Sequence, residues 1–344
     1  MNKVTIKNSG HTFDVRPSQT VLQAAIDAGI NLPYGCRNGA CGSCKAKLIS
    51  GKIFHNDYQS SAMSDAELAA GNTLLCCAMA LEDLTIECRE VGGLAGIKPR
   101  ILPARLAKKE WLAHDVLALH LQLPASERLQ FKAGQYIEFI LKDGSRRAYS
   151  IANAPHDNDF LQLHIRVLKG GAFSEFAAND LQEKAILRLE APFGNFFLRE
   201  NSEKPCIFMA GGTGFAPVKG IIEYMLHNNT KREITLYRGA RQLQDLYMHE
   251  LCEKWAELMP NVTYIPVLSE PATSDKWQGR IGLVHQAVLA DAINQNMDLS
   301  GYQAYVCGAP AMCEVAQTSF VQQGLLADEF FSDAFTFAAS PKTS

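Results

Sequence analysis

Three cysteines stand close together near the start of the chain as Cys36-x4-Cys41-x2-Cys44, and an adjacent pair, Cys76 and Cys77, follows downstream. This spacing, with a distant fourth thiolate, suits a [2Fe–2S] cluster. The intervening residues Gly39, Ala40, Gly42 and Ser43 are small. A loop of that kind can wrap a cluster and leave backbone N–H groups free for its sulfides. A structural zinc ion on four cysteines is the main alternative. Zinc ribbons usually pair two short Cys-x2-Cys knuckles, and only one exists here. Spacing alone leaves both Cys76 and Cys77 open as the fourth ligand.

A second group of residues suits phosphate and flavin chemistry. Gly211-Gly212-Thr213-Gly214-Phe-Ala-Pro217 follows an apolar strand and opens a helix. Its glycines let the backbone approach a dinucleotide phosphate, and Pro217 falls in the first turn, where its missing N–H does no harm. A tight turn that serves packing alone is the competing reading. Gly170-Gly171-Ala-Phe-Ser174 also opens a helix, and a helix N-terminus with a free hydroxyl is a ready pyrophosphate site. Arg147-Ala148-Tyr149-Ser150 offers a cation, an aromatic ring and a hydroxyl on one strand, although sheets often carry such residues without function. His164, Ile165 and Arg166 lie on the next strand, where His164 serves equally well as a satisfied sheet histidine. Arg238 and Arg241, in Tyr237-Arg-Gly-Ala-Arg241, either bind a 2′-phosphate or are solvated surface charges. Cys307-Gly308 ends a later strand, with a buried core cysteine as the bland alternative.

Elements that position these residues can be read from periodicity. Residues 1–93 show strands at Lys3–Lys7 and Thr12–Val15, a helix over Thr20–Gly29 with a glycine stop, and a closing strand at Leu84–Cys88, which together predict a small α+β unit. Glycines and Pro99 mark a linker over 94–100. Residues 101–202 carry period-2 strands such as Val116–Leu123, Tyr136–Leu141 and Leu161–Val167, which predict an antiparallel β-barrel. From 203 to 344 strands alternate with helices, including one over Asp245–Leu258, and predict a parallel α/β sheet.

Composition narrows the class. The chain has 344 residues, 47% of them apolar and 20% charged, enough for ordinary cores in two or three domains. Lys and Arg number 33 against 36 Asp and Glu, a balance that argues against nucleic acid as the main partner. Acidic and basic residues also nearly balance within 1–93, so strong steering to a basic partner is not indicated. The longest stretch free of charged residues and histidine, Leu299 to Cys313, holds 15 residues. A spanning helix needs about 20. The N-terminus lacks the apolar run of a secretory signal, and the ten cysteines are too sparse for a disulfide scaffold. A cytoplasmic protein is expected.

Taken together, these motifs resemble the ferredoxin–NADP reductase-like family, in the class whose members carry an N-terminal plant-type ferredoxin domain. The order of cluster, flavin and nicotinamide motifs covers essentially the whole chain. The resemblance implies a β-grasp-like ferredoxin domain, with Cys36, Cys41, Cys44 and Cys76 as ligands, because the last ligand in such domains follows a short apolar run, here Thr73-Leu-Leu. It implies FAD phosphates on Arg147 and Ser174, the isoalloxazine facing Tyr149 and Ser150 beside Ala148, and His164, Ile165, Arg166, Gly170 and Gly171 along the adenine or phosphate side. NAD(P)H is implied at Gly211, Gly212, Thr213, Gly214 and Pro217, with Arg238 and Arg241 by the adenosine ribose and a lean towards NADH. Cys307 and Gly308 would lie beside the nicotinamide. The acidic, aromatic tail offers Glu329 and Phe335 as residues approaching the flavin, so Cys307, Ser150 and Glu329 are the expected catalytic set.

The implied activity is hydride transfer from NAD(P)H to FAD and single-electron delivery through the cluster to a separate enzyme, a sugar-nucleotide dehydrase or a multicomponent oxygenase. A stand-alone flavin or quinone reductase and a non-catalytic iron–sulfur redox sensor are the alternatives.

Overall fold

The computed structural model describes residues 1–94 and 96–336, and the expected three-part fold is present. Residues 337–344, which the sequence reading assigns to the nucleotide segment, and Ala95 of the linker lie outside the described residues. The chain forms two compact units, one over Met1–Lys98 and one over Pro99–Phe335.

The first unit contains β1 (Asn2–Ile6), β2 (Thr12–Val15), α1 (Val21–Ala28), β3 (Lys45–Ser50), β4 (Ile53–His55), α2 (Asp65–Ala69), β5 (Asn72–Leu74), β6 (Ala78–Ala80) and β7 (Leu84–Glu87). Its main sheet has the order β2-β1-β7-β3-β5, with β1 and β7 parallel, and β4 pairs with β6 as a separate ribbon. Alternation along β1 and β7 turns Val4, Ile6, Leu84 and Ile86 inward, and α1 buries its own Val21 and Leu22. The side chain of Thr20 accepts from the N–H of Gln23 to start α1, and Gly29 closes it. Between α1 and β3 lies the cysteine loop.

In the second unit, β8 (Arg100–Ala113), β9 (Val116–Gln122), β10 (Tyr136–Ile140), β11 (Arg146–Ser150), β12 (Leu161–Arg166) and β13 (Ile186–Phe193) form an antiparallel sheet of order β11-β10-β13-β8-β9-β12. A bridge between Ile151 and Leu163 joins its two edges and closes the barrel. Helix α3 (Ala172–Asn179) plugs one side through Phe173, whose ring lies 4.8 Å from Phe139, a contact worth about 1 kcal/mol beyond burial.

The remaining elements are β14 (Cys206–Gly211), α4 (Phe215–His227), β15 (Ile234–Ala240), α5 (His249–Leu258), β16 (Val262–Leu268), β17 (Arg280–Ile281), α6 (Val284–Asn294), β18 (Gln303–Gly308), α7 (Pro310–Gln322) and β19 (Phe330–Ala334). They build a fully parallel sheet of order β17-β16-β15-β14-β18-β19. The helix expected from Asp245 begins only at His249, because Met248 adopts a left-handed conformation at φ 56°. Among the described residues, no helix is long and apolar enough to cross a membrane.

Candidate functional site

Between α1 and β3 the chain must fold around its own thiols. Gly39 sits at φ +74°, and a Cβ there would come within 2.7 Å of Cys77 Sγ and 2.8 Å of Tyr58 Cβ, so the turn accepts only glycine. The four expected ligands face each other in two pairs, Cys36 with Cys41 and Cys44 with Cys76. Hydrogen bonding from Cys36 pulls Cys41 down to about 6, and hydrogen bonding from Cys44 pulls Cys76 down to about 4, while Cys36 and Cys44 rise. The N–H of Cys36 donates to Cys41 Sγ at 3.3 Å and that of Ala40 to Cys36 Sγ at 3.4 Å. Two facing pairs with backbone donors suit two irons, each taking two protein sulfurs, as a [2Fe–2S] cluster requires.

On the barrel, β11 carries Arg147 and Tyr149 on one face. The Tyr149 ring lies 5.4 Å from Phe173 of α3, which brings this strand beside the Gly170-Gly171 turn. Ala148, on the opposite face, is exposed. Ser174 does not offer the free hydroxyl expected of it. Its Oγ donates to Gly171 O at 3.0 Å and accepts from the N–H of Leu168 at 3.3 Å, so it is spent on closing the turn. Ile165 points into the barrel core. His164 faces the other way, is fully enclosed, and has its Nδ1 3.1 Å from the Tyr247 hydroxyl of the nucleotide segment. Burial, then Lys219 and Arg238, hold it neutral. Arg166, fixed through Nε to Asp115 at 2.7 Å, reaches across instead: its Nη1 lies 3.1 Å from the Cβ position of Gly212.

At the carboxyl ends of the parallel strands two turns press together. A Cβ on Gly214 would fall 2.2 Å from Cys307 O and 2.8 Å from Gly308 N, so the phosphate-type turn lies flat against the Cys307–Gly308 peptide. Thr213 and Pro217 are buried behind it. Cys307 is fully enclosed, and burial followed by the charge of Asp333 pushes its thiol well up. Phe335 donates its N–H to Gly308 O at 2.8 Å.

Two expected residues are corrected. Glu329 precedes β19 at the amino-terminal end of the parallel strands, four residues or about 13 Å of strand from the level of Cys307. There its carboxylate receives Lys204 Nζ at 2.9 Å and Gln303 Nε2 at 2.7 Å. The acid that reaches the site is Asp333, paired in register with Cys307 and 3.5 Å from Ser150 Oγ. Arg238 is also not a ribose ligand. Its guanidinium is buried, donates to Tyr247 O at 2.6 Å and stacks 3.8 Å over Phe215. Arg241 alone of the two is exposed at the end of β15. Sequence reasoning also missed Tyr247 and Lys219, whose partners lie far away along the chain.

The site thus joins an aromatic barrel edge to paired turns of a parallel sheet, on the same chain as two facing pairs of thiols. Residues 4–81 match the model of the 2Fe-2S iron-sulfur cluster binding domain, 103–198 that of the oxidoreductase FAD-binding domain, and 208–318 that of the oxidoreductase NAD-binding domain. The chain is 39% identical over 332 residues to the CDP-6-deoxy-L-threo-D-glycero-4-hexulose-3-dehydrase reductase of Yersinia pestis, covering 96% of this chain and 98% of that protein. It is 34% identical to reductase component 2 of terephthalate 1,2-dioxygenase from Comamonas sp, over 97% of each. The crystal structure of the Amycolatopsis cytochrome P450 reductase GcoB superposes with a TM-score of 0.83 at 30% identity, covering 98% of this chain and 100% of that one. With its three domains in the same order along the whole chain, the protein belongs to the NAD(P)H-dependent iron–sulfur flavoprotein reductases of the ferredoxin reductase type.

Proposed function

We propose that this protein is the reductase component of a two-part system, taking hydride from NADH and delivering single electrons to a separate cytoplasmic enzyme. A sugar-nucleotide dehydrase of the kind served by CDP-6-deoxy-3,4-glucoseen reductases is the first candidate acceptor, and an oxygenase the second. The observation that carries this reading is that a two-electron site and a one-electron site lie on one chain: the Ser150–Asp333–Cys307 junction in one unit and the paired cysteines in the other. When bound, FAD supplies the exchange between hydride and single electrons, and the cluster carries one electron at a time.

On this reading residues 1–93 hold the cluster through Cys36, Cys41, Cys44 and Cys76, 94–100 link, 101–202 bind FAD and 203–344 bind the nicotinamide nucleotide. Arg147 and the α3 turn face the flavin phosphates, and Tyr149 stacks on the flavin. Gly211 to Gly214 admit the coenzyme phosphates to close approach, with Arg166 leaning over the same turn from the barrel. Cys307 is a neutral thiol that shapes the wall beside the nicotinamide, while Asp333 orients the Ser150 hydroxyl. With Arg238 buried, Arg241 alone of the two arginines is left at the end of β15 to meet a 2′-phosphate, and this supports NADH over NADPH.

An anaerobic titration with NADH, then NADPH, following flavin absorbance and cluster EPR together, tests this. Flavin bleaching with a reduced [2Fe–2S] signal is expected, at lower NADH than NADPH. Bleaching with an intact but oxidised cluster would transfer support to a stand-alone flavin reductase, and no NADH oxidation at all to a redox sensor.

A further inference from the structure

Four ligands satisfy a [2Fe–2S] cluster, yet the loop packs a fifth thiol against them. Cys77 follows Cys76 directly, and neighbouring side chains in extended backbone point to opposite sides. Here the chain turns after β5: the Cys77 N–H donates to Leu74 O at 2.9 Å, and Asn56 N–H donates to Cys77 O at 2.9 Å. Both sulfurs are thereby brought to one side, with Cys77 Sγ 3.6 Å from Cys76 Sγ. Asp57 O, at 3.7 Å, is the competing acceptor for the one Cys77 S–H proton, and the negative charge of an iron-bound thiolate favours Cys76 over it. Cys77 is buried, and its sulfur lies against the face of Gly39, the residue that must turn between Cys36 and Cys41. On the far side of that turn Gln59 N–H donates to Gly39 O at 2.9 Å. The thiol therefore sits where it touches both a ligand sulfur and the loop that carries the three other ligands.

We propose that Cys77 is a positioning residue for the cluster: its thiol donates an S–H···S hydrogen bond to the Cys76 sulfur, holds that ligand against the Gly39 turn, and raises the reduction potential of the centre. This rests on the reading that Cys36, Cys41, Cys44 and Cys76 are the ligands. The direction follows from charge. One electron enters the cluster and no bond is made or broken, so negative charge on the ligand sulfurs grows. A donor aimed at one of them stabilises the reduced form more than the oxidised form. A Cys76 sulfur bound to iron as a thiolate carries no proton, so the Cys77 S–H is the group left to donate across the 3.6 Å contact.

The test uses the full chain loaded with cluster and FAD, with iron content, EPR and a potentiometric titration of the cluster as readouts. Cys77→Val fills the space but lacks the donor, Cys77→Ser keeps a donor, and Cys77→Ala removes both brace and donor. At the wild-type midpoint the Val variant is expected to shift the oxidised-to-reduced ratio about tenfold towards oxidised, which for a one-electron couple is about 59 mV. Its EPR g-values should move as well, and Ser should restore part of both. If Ala fails to retain iron, Val and Ser decide the question. Full iron with wild-type midpoint and g-values in the Val variant overturns the hydrogen bond. Retained iron in Cys76→Ala with lost iron in Cys77→Ala overturns it differently, by making Cys77 the ligand. If the wild-type chain itself yields no reduced [2Fe–2S] signal, the ligand reading falls first and this proposal with it.

Discussion

Lys219 stands in the middle of α4 with only 5% of its surface exposed. Its Nζ serves three acceptors: Ala152 O and Gln162 Oε1 of the barrel segment, each at 3.2 Å, and Glu223 Oε2 one helical turn on, at 2.8 Å. Replacing it by Met keeps most of the volume and removes the charge with all three donors. Breaking a buried pair by deleting one partner costs about 3–5 kcal/mol. The Glu223 side chain is 26% exposed, which puts the cost near the lower end, about 3 kcal/mol. For a unit of this size each kcal/mol moves Tm by about 2–4 °C, so a loss of about 6–12 °C is expected. The pH dependence has a definite sign. Burial pushes the Glu223 carboxyl up and Lys219 pulls it down. Without Lys219 the rise is unopposed, and the folded protein holds that proton more tightly than the unfolded chain. The penalty is then complete above the folded pKa and is relieved as pH falls towards the ordinary carboxyl value. Thermal unfolding of the FAD-loaded protein, followed by circular dichroism at pH 5, 6 and 8, measures this. A Tm within about 2 °C of wild type at pH 8, or a deficit as large at pH 5 as at pH 8, would refute the reasoning.

Gly39→Ala drives a methyl group into Cys77 Sγ and Tyr58 at a left-handed φ, and iron per chain should fall to a small fraction of wild type while the flavin is retained. Asp333→Asn removes the charge from a long 3.5 Å contact with Ser150 Oγ, worth about 0.5 kcal/mol, so stopped-flow bleaching of the flavin by NADH should slow about twofold with little change in KM. Glu329→Gln should do the reverse, lowering Tm by a few degrees through loss of the Lys204 ion pair while NADH turnover holds at the wild-type rate. Cys307, protonated and enclosed, should react with iodoacetamide at pH 8 slower in the folded protein than in the unfolded one by on the order of a hundredfold, as read by peptide mass spectrometry.

What could be read from sequence was what is encoded within one short segment. The cysteine spacing, the Gly211–Pro217 turn and the strand-then-helix alternation each depend on neighbours along the chain, and the three-domain fold follows from them. The misplacements share a different cause. Glu329 and Asp333 lie in the same acidic tail, and only the parallel register of β19 on β18 determines which one stands level with Cys307. Arg238 reads as a surface cation until Phe215 and Tyr247, from two other elements, close over it. Ser174 shows a hydroxyl at a helix start, but not that Leu168 and Gly171 already use it. The late start of α5 turns on one left-handed residue, Met248, which no composition pattern announces.

The flat contact of Gly214 on the Cys307–Gly308 peptide sets a limit on how this pocket can vary. The two turns share a single wall: at Gly214 they meet backbone to backbone, and Met312 packs against Gly211 of one and Gly308 of the other, so neither can be lengthened or shifted without carrying the other along. A coenzyme gripped at its phosphates is thereby gauged to a fixed length at its reactive end, like a workpiece against a machined stop. Freedom to choose between coenzymes is left to the part of the pocket that this wall does not fix, the exposed end of β15 around Arg241. Changes in coenzyme preference should accumulate there, while the wall itself tolerates none.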